Sequence, residues 1–205
     1  LEHVGASHVG LEIRATNRIP HGRGLGSSAA AVVAGLSAVR AMIADPNALD
    51  HTATLRLATA FEGHPDNAAP AIWGGATVAW QDGEGAHASA LAVDPKLETV
   101  VLIPGSTLPT KEARAVLPPQ VPHTHAAFNV GRAALLVHAL GGHFDLLLPA
   151  TEDKLHQSYR AGVMPPAVAM LQHLRGHGLA AAGSGAGPSV LVLGRALATL
   201  AASDL

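Results

Sequence analysis

The sequence predicts an α+β fold. Short apolar alternations mark strands, Ala-rich runs mark helices, and the two mix without the regular βαβ alternation of a doubly wound sheet. With 205 residues, 48% of them hydrophobic and 14% charged, the chain has enough apolar material for a real core and is not a disordered polymer. That length suits one large domain or two small ones.

Val9, Leu11, Ile13 and Ala15 alternate with more polar residues, which predicts a half-buried strand across residues 8–19. A turn-rich loop follows from Pro20 to Gly26. Residues 27–43 then read as a helix that is apolar nearly all round and should be buried, ending at Asp45-Pro46-Asn47. A second helix covers 52–62 and gives way to Gly63-His64-Pro65, because the residue before proline avoids helical angles. Residues 75–80 read as a strand, 81–85 as a hairpin turn and 88–93 as its return. Asp94-Pro95 is the expected domain boundary, dividing residues 1–94 from 95–205. Beyond it come a buried strand at 97–103 and helical patterns at 110–117, 123–140, 144–148 and 166–177. Two strands, 180–182 and 189–193, flank a second Gly-rich loop, and a last helix is expected at 196–202. The first residues carry no initiator Met, signal pattern or cap, so further chain is expected before Leu1 and perhaps after Leu205.

Composition excludes several functions. The formal net charge of -2 leaves no basic surplus for a phosphate backbone, so nucleic acid is not an expected partner. No apolar run is long enough for a membrane span. There is no cysteine, hence no disulfide or thiolate metal site, which fits a cytoplasmic protein. The 13 histidines are scattered, and none has H-E-x-x-H spacing.

The chemistry concentrates in a few segments. Pro20-His21-Gly22-Arg23-Gly24-Leu25-Gly26-Ser27-Ser28-Ala29-Ala30 joins a predicted strand to a long helix. Glycines at alternate positions let the backbone take positive φ and approach a ligand. The start of a helix offers N–H groups and a partial positive charge, an arrangement suited to phosphate. No acid follows Ser27 until Asp45, so no internal anion occupies that site. The Walker Lys is absent and the spacing is G-x-G-x-G. The plainer alternative is a tight turn with the serines as helix caps.

Phe61-Glu62-Gly63-His64-Pro65-Asp66-Asn67 places two acids, an imidazole and an amide in one turn. Such a set suits Mg²⁺ or proton transfer, or is simply a helix end capped by Gly63. Gly183-Ser184-Gly185-Ala186-Gly187-Pro188-Ser189 is a second glycine loop, weak evidence by itself. Thr110 and Arg114 share a helix face by spacing. Arg160 closes Asp153-Lys154-Leu155-His156-Gln157-Ser158-Tyr159-Arg160. Arginine forks suit carboxylates, although most arginines only pair with surface acids.

P-x-G-x-G-L-G-S-S-A resembles the phosphate-binding motif of the GHMP kinases. E-G-H-P-D-N with the Gly74-Gly75 that follows, the Leu108–Pro118 segment and the Asp153–Arg160 segment resemble the homoserine kinase branch; Gly183–Ser189 resembles the third motif of the superfamily. Pro109 and Ser158 depart from the usual Ser and Pro of that branch, and the first family motif, an Asn- and Gly-rich segment, is not found. The resemblance implies a two-lobed GHMP kinase fold: a ribosomal S5 domain 2-like N-terminal lobe, incomplete here, and a ferredoxin-like C-terminal lobe. It implies ATP and Mg²⁺ as cofactors and L-homoserine as acceptor, with a homodimer allowed. Residues 20–30 are expected to hold the phosphates, and Ser28 and Glu62 the metal. Asp66, Asn67 and Glu62 are the expected catalytic set. His64, Asp66, Asn67, Thr110, Arg114, Arg160 and Gly185 are expected to meet the substrate, with the two arginines on its carboxylate. Another GHMP kinase, acting on mevalonate, a sugar or shikimate, and a non-catalytic nucleotide-binding fragment stay open as alternatives.

Overall fold

A computed structural model gives the fold; it describes residues 1–7 and 10–197. The chain divides into two compact units. One contains Leu1–Ile19 and Gly26–Leu91, the other Pro20–Leu25 and Ala92–Leu205. The glycine loop is therefore shared, and the chain leaves one unit for the other between Leu25 and Gly26.

The first unit is built from α1 (Ser27–Met42), α2 (His51–Glu62), α3 (Ala68–Trp73) and a hairpin of β1 (Ala76–Asp82) and β2 (Gly85–Leu91). Val33, Leu55, Ala58, Ala68, Ala69 and Ala86 form its core. Four of these six are alanines, small enough to let the helices approach the hairpin closely. Asp50 starts α2, its carboxylate accepting a hydrogen bond from Ala53 N at 2.8 Å. Gly63, at φ 82, ends it in the left-handed conformation that glycine tolerates. The hairpin keeps strict antiparallel register from Ala76 opposite Leu91 to Asp82 opposite Gly85.

The second unit carries a three-stranded antiparallel sheet in the order β3 (Glu98–Leu102), β5 (Val190–Gly194), β4 (Ala180–Gly183). Helices α4 (Thr110–Ala115), α5 (His123–Leu140), α6 (Leu147–Ala150), α7 (Gln157–Arg160) and α8 (Pro165–Gly176) accompany it. Side chains alternate across a strand, and the two sheet faces sort accordingly. Ala181 and Val192 pack with Leu171 and Leu174 of α8. Their chain neighbours Ala180 and Leu193 pack with Ala139, Leu147 and Ala150 of α5 and α6. The sheet is thus covered on both faces, which holds its ends, and the loops they carry, firmly.

Two expectations are corrected, and short helices appear that no pattern indicated. Residues 10–18 form no strand, and Ile13 is 77% exposed. Alternation yields a strand only where a neighbour completes the ladder, and β1 and β2 pair with each other. Helix α1 buries only Ser27, Ala29 and Val33, because α2 and α3 pack against one face of it. The short helix α3 was not expected at all. The helix expected at 196–202 lies, from Ala198 on, outside the described residues. No helix among the described residues is long and apolar enough to cross a membrane.

Candidate active site

In the first unit the expected residues gather at the start of α1. Gly26, not a serine, is the N-cap, with φ 70 in the left-handed region. A helix's first turn has N–H groups without an intrahelical acceptor; here the N-cap, Gly26, has no side chain to meet them and no acid lies in the first turn. Ser27 is buried, and its Oγ accepts a hydrogen bond from Asn17 Nδ2 at 2.9 Å. Ser28 is exposed, and its Oγ donates to Glu62 Oε1 at 2.5 Å. That bond joins the start of α1 to the last residue of α2. Asn67 lies against the cap: a Cβ on Gly26 would stand 3.4 Å from Asn67 Oδ1. His64 Nδ1 and Asp66 Oδ1 are 2.6 Å apart, a ring N–H donating to a carboxylate. The turn holding these groups is pinned at its far end by Ala68 and Ala69, both fully buried.

In the second unit, the leading half of the glycine loop is strapped down by backbone and hydroxyl. Gly22 O accepts from Leu108 N at 2.9 Å. Gly24 O accepts from Ser184 Oγ at 2.8 Å, across 160 residues of sequence. A Cβ on Gly24 would come within 2.1 Å of Ser184 O, so only glycine fits there. Gly185 sits against the same glycine, since its own Cβ would stand 3.0 Å from Gly24 O. The two glycine loops are therefore in direct backbone contact. Pro20 and His21 are exposed and Arg23 is half-buried.

The two candidate arginines also come together in this unit. Thr110 opens α4 and is exposed, like Arg114 one turn on; Ala113 between them is buried and anchors the helix. Arg160 Nε donates to Ala113 O at 3.1 Å, and its Nη1 donates to Gly185 O at 3.0 Å. Burial lowers the pKa of Arg160; the negative charge of Asp153 opposes that shift and the like charge of Arg114 adds to it. The arginine–carboxylate pairs of the described residues involve Arg14 and Arg132, not Arg114 or Arg160. Two neighbouring guanidinium groups, that of Arg160 held by neutral carbonyls, suit a carboxylate from outside. Pro109, the departure from the family pattern, makes the N-cap of α4 and disturbs nothing: its carbonyl accepts from Ala113 N at 3.1 Å.

Sequence reasoning missed Ser184, Asp153 and Asn129. An acid ahead of a helix start was available as a signal for Asp153. Ser184 and Asn129 act on partners far along the chain, and nothing local announces them.

Residues 1–75 match the family model of the GHMP kinases N terminal domain. Over residues that include both glycine loops and both arginines, the chain is similar to curated homoserine kinases. It is 54% identical to that of Clavibacter michiganensis, covering 90% of this chain and 58% of the relative. It is 52% identical to that of Streptomyces avermitilis, covering 93% and 63%. The crystal structure of homoserine kinase from Cytophaga hutchinsonii superposes with a TM-score of 0.78 at 27% identity, covering 89% of this chain and 59% of that one. The chain therefore carries a GHMP kinase N-terminal domain and is a homologue of the homoserine kinases. It spans about six-tenths of the length of the relatives it matches.

Proposed function

We propose that the protein transfers the γ-phosphate of ATP to the side-chain hydroxyl of L-homoserine, giving ADP and O-phospho-L-homoserine, a step of threonine biosynthesis in the cytoplasm. The observation that carries this reading is the pairing of Arg114 with an anchored Arg160 in a chain about half identical to homoserine kinases.

The phosphates are assigned to Gly22–Ser28, where backbone N–H groups and the helix dipole meet negative charge. Ser28 and Glu62 fit Mg²⁺: a hydroxyl and a carboxylate already converge there, and no larger metal cluster exists among the described residues. Mg²⁺ commonly takes one or two protein oxygens and fills its remaining positions with water and phosphate. When bound, it would neutralise phosphate charge. Arg114 and Arg160 are assigned to the homoserine carboxylate, with Thr110 and Gly185 beside them. Asp66 and Asn67 are assigned to the amino group and the reacting hydroxyl, with His64 fixing the Asp66 carboxylate. Phosphoryl transfer depends chiefly on positioning and charge stabilisation, so an orienting acid suffices.

The test is an ATP-dependent assay of the full-length protein with homoserine, mevalonate, a sugar and shikimate as acceptors. Turnover of homoserine is expected; turnover of another acceptor in its place would overturn the reading. Arg114→Ala should raise the homoserine KM by about thirtyfold or more, the loss expected when one partner of a charge pair that substrate binding desolvates is removed.

A further inference from the structure

We propose that Asp153 is a positioning residue for Arg160, tied through Asn129 to α5, and that it sets the affinity for the acceptor's carboxylate without touching it. The proposal rests on the assignment of Arg160 to that carboxylate.

The argument begins with α7, which spans only Gln157–Arg160. One turn of helix cannot hold itself, since nucleation is unfavourable and few hydrogen bonds repay it. Something outside the turn must fix it. Asp153 Oδ2 accepts from His156 N and Gln157 N, both at 2.7 Å. His156 O in turn accepts from Arg160 N at 3.1 Å. The carboxylate is thus two hydrogen bonds from the backbone of Arg160.

Asp153 is itself anchored. Its Oδ1 accepts from Asn129 Nδ2 at 2.8 Å, and Asn129 Oδ1 accepts from Lys154 N at 2.9 Å. Asn129 lies on α5, an 18-residue helix whose far end packs under the sheet. The reciprocal pair clamps the 153–154 backbone to the most extended element of the unit. His156 Nδ1, at 3.1 Å, and Leu155 N, at 3.2 Å, also reach Oδ1. Burial pushes the Asp153 pKa up, but hydrogen bonds from His156, Gln157 and Asn129 outweigh it and hold the carboxyl far below the usual carboxylate range. It therefore stays charged, and that charge also favours the Arg160 guanidinium.

Arg160 must place its fork accurately to bind a carboxylate at two points. Its Nε and Nη1 are already given to Ala113 O and Gly185 O. A loosened α7 would weaken acceptor binding while leaving the nucleotide residues alone.

Steady-state kinetics of the full-length protein test this. Asp153→Asn removes the charge and one acceptor. It should raise the homoserine KM about tenfold, within the range that coupled neighbours exchange, with kcat and the ATP KM within about twofold. Asn129→Ala, which leaves the carboxylate in place, should raise the homoserine KM less. The exchange Asn129→Asp with Asp153→Asn restores a donor–acceptor pair and an anchored cap, and should recover most of the loss. A merely structural role would instead lower kcat and raise both KM values together, and would overturn the proposal. So would a homoserine KM unchanged in both single variants while Arg160→Lys raises it. If Arg160→Lys also leaves it unchanged, the carboxylate assignment fails and the proposal falls with it.

Discussion

Two helix starts in this molecule are treated in opposite ways. The first turn of α7 is held by a carboxylate that takes two of its N–H groups. α1, with 16 residues against the 4 of α7, starts on a glycine that has no side chain to offer as a cap, and its first turn carries no acid. α2 follows the common pattern, with Asp50 as its cap. The chain can therefore supply capping acids, although α5 and α8 also start without one. What sets the start of α1 apart is the glycine loop before it, with no room for a side chain at Gly24, and the flanking Ser28, Glu62 and Asn67. The contrast is what one expects if the anion that completes α1 comes from outside.

The comparison can be broken most severely at the loop. Gly24→Ala forces a Cβ into the Ser184 carbonyl and a side chain into left-handed φ. A destabilisation of about 3 kcal/mol or more is expected, with loss of ATP binding; denaturant melts and nucleotide titration would read it. Asp50→Ala is the opposite control. It should cost about 1 kcal/mol of stability, as lost caps do, and leave the ATP affinity unaltered. A third effect belongs to acid. Asp153 has a lowered folded pKa, so its stabilisation is complete above the unfolded-chain value of roughly 3.9 and drains away as pH falls below it. The Asp153→Asn protein should lack that part of the acid limb in pH-dependent melts, and an identical limb in both proteins would remove Asp153 from the account.

Much of this was legible in the residues themselves. α5 runs from His123 to Leu140 as its pattern predicted, and Gly63 caps α2, because both signals are local and strong. The glycine spacing predicted a backbone free to approach a ligand; the approach seen is that of Gly24 to Ser184. What the sequence hid was relational. The alternation of residues 8–19 gave no sign that residues 10–18 would lack a pairing strand. The apolar circumference of α1 suggested full burial, yet burial depends on how many neighbours a helix has. Serines behind Gly26 looked like caps, but a left-handed glycine took that position. Ser184 reaching Gly24, and Asn129 reaching Asp153, are contacts between segments that share no local pattern.

The bare start of α1 is the centre of the account, and placing a charge there tests it most directly. Ala30→Glu adds an acid just inside the helix, where the dipole favours it by roughly 0.3–1 kcal/mol of stability. The same charge opposes a triphosphate. Calorimetric titration of ATP into the full-length protein and this variant should show an affinity weakened about tenfold, on the scale of one screened charge at close range, with the melting temperature unchanged or raised. Equal ATP affinity in the two proteins would contradict the claim that this helix start holds the phosphates.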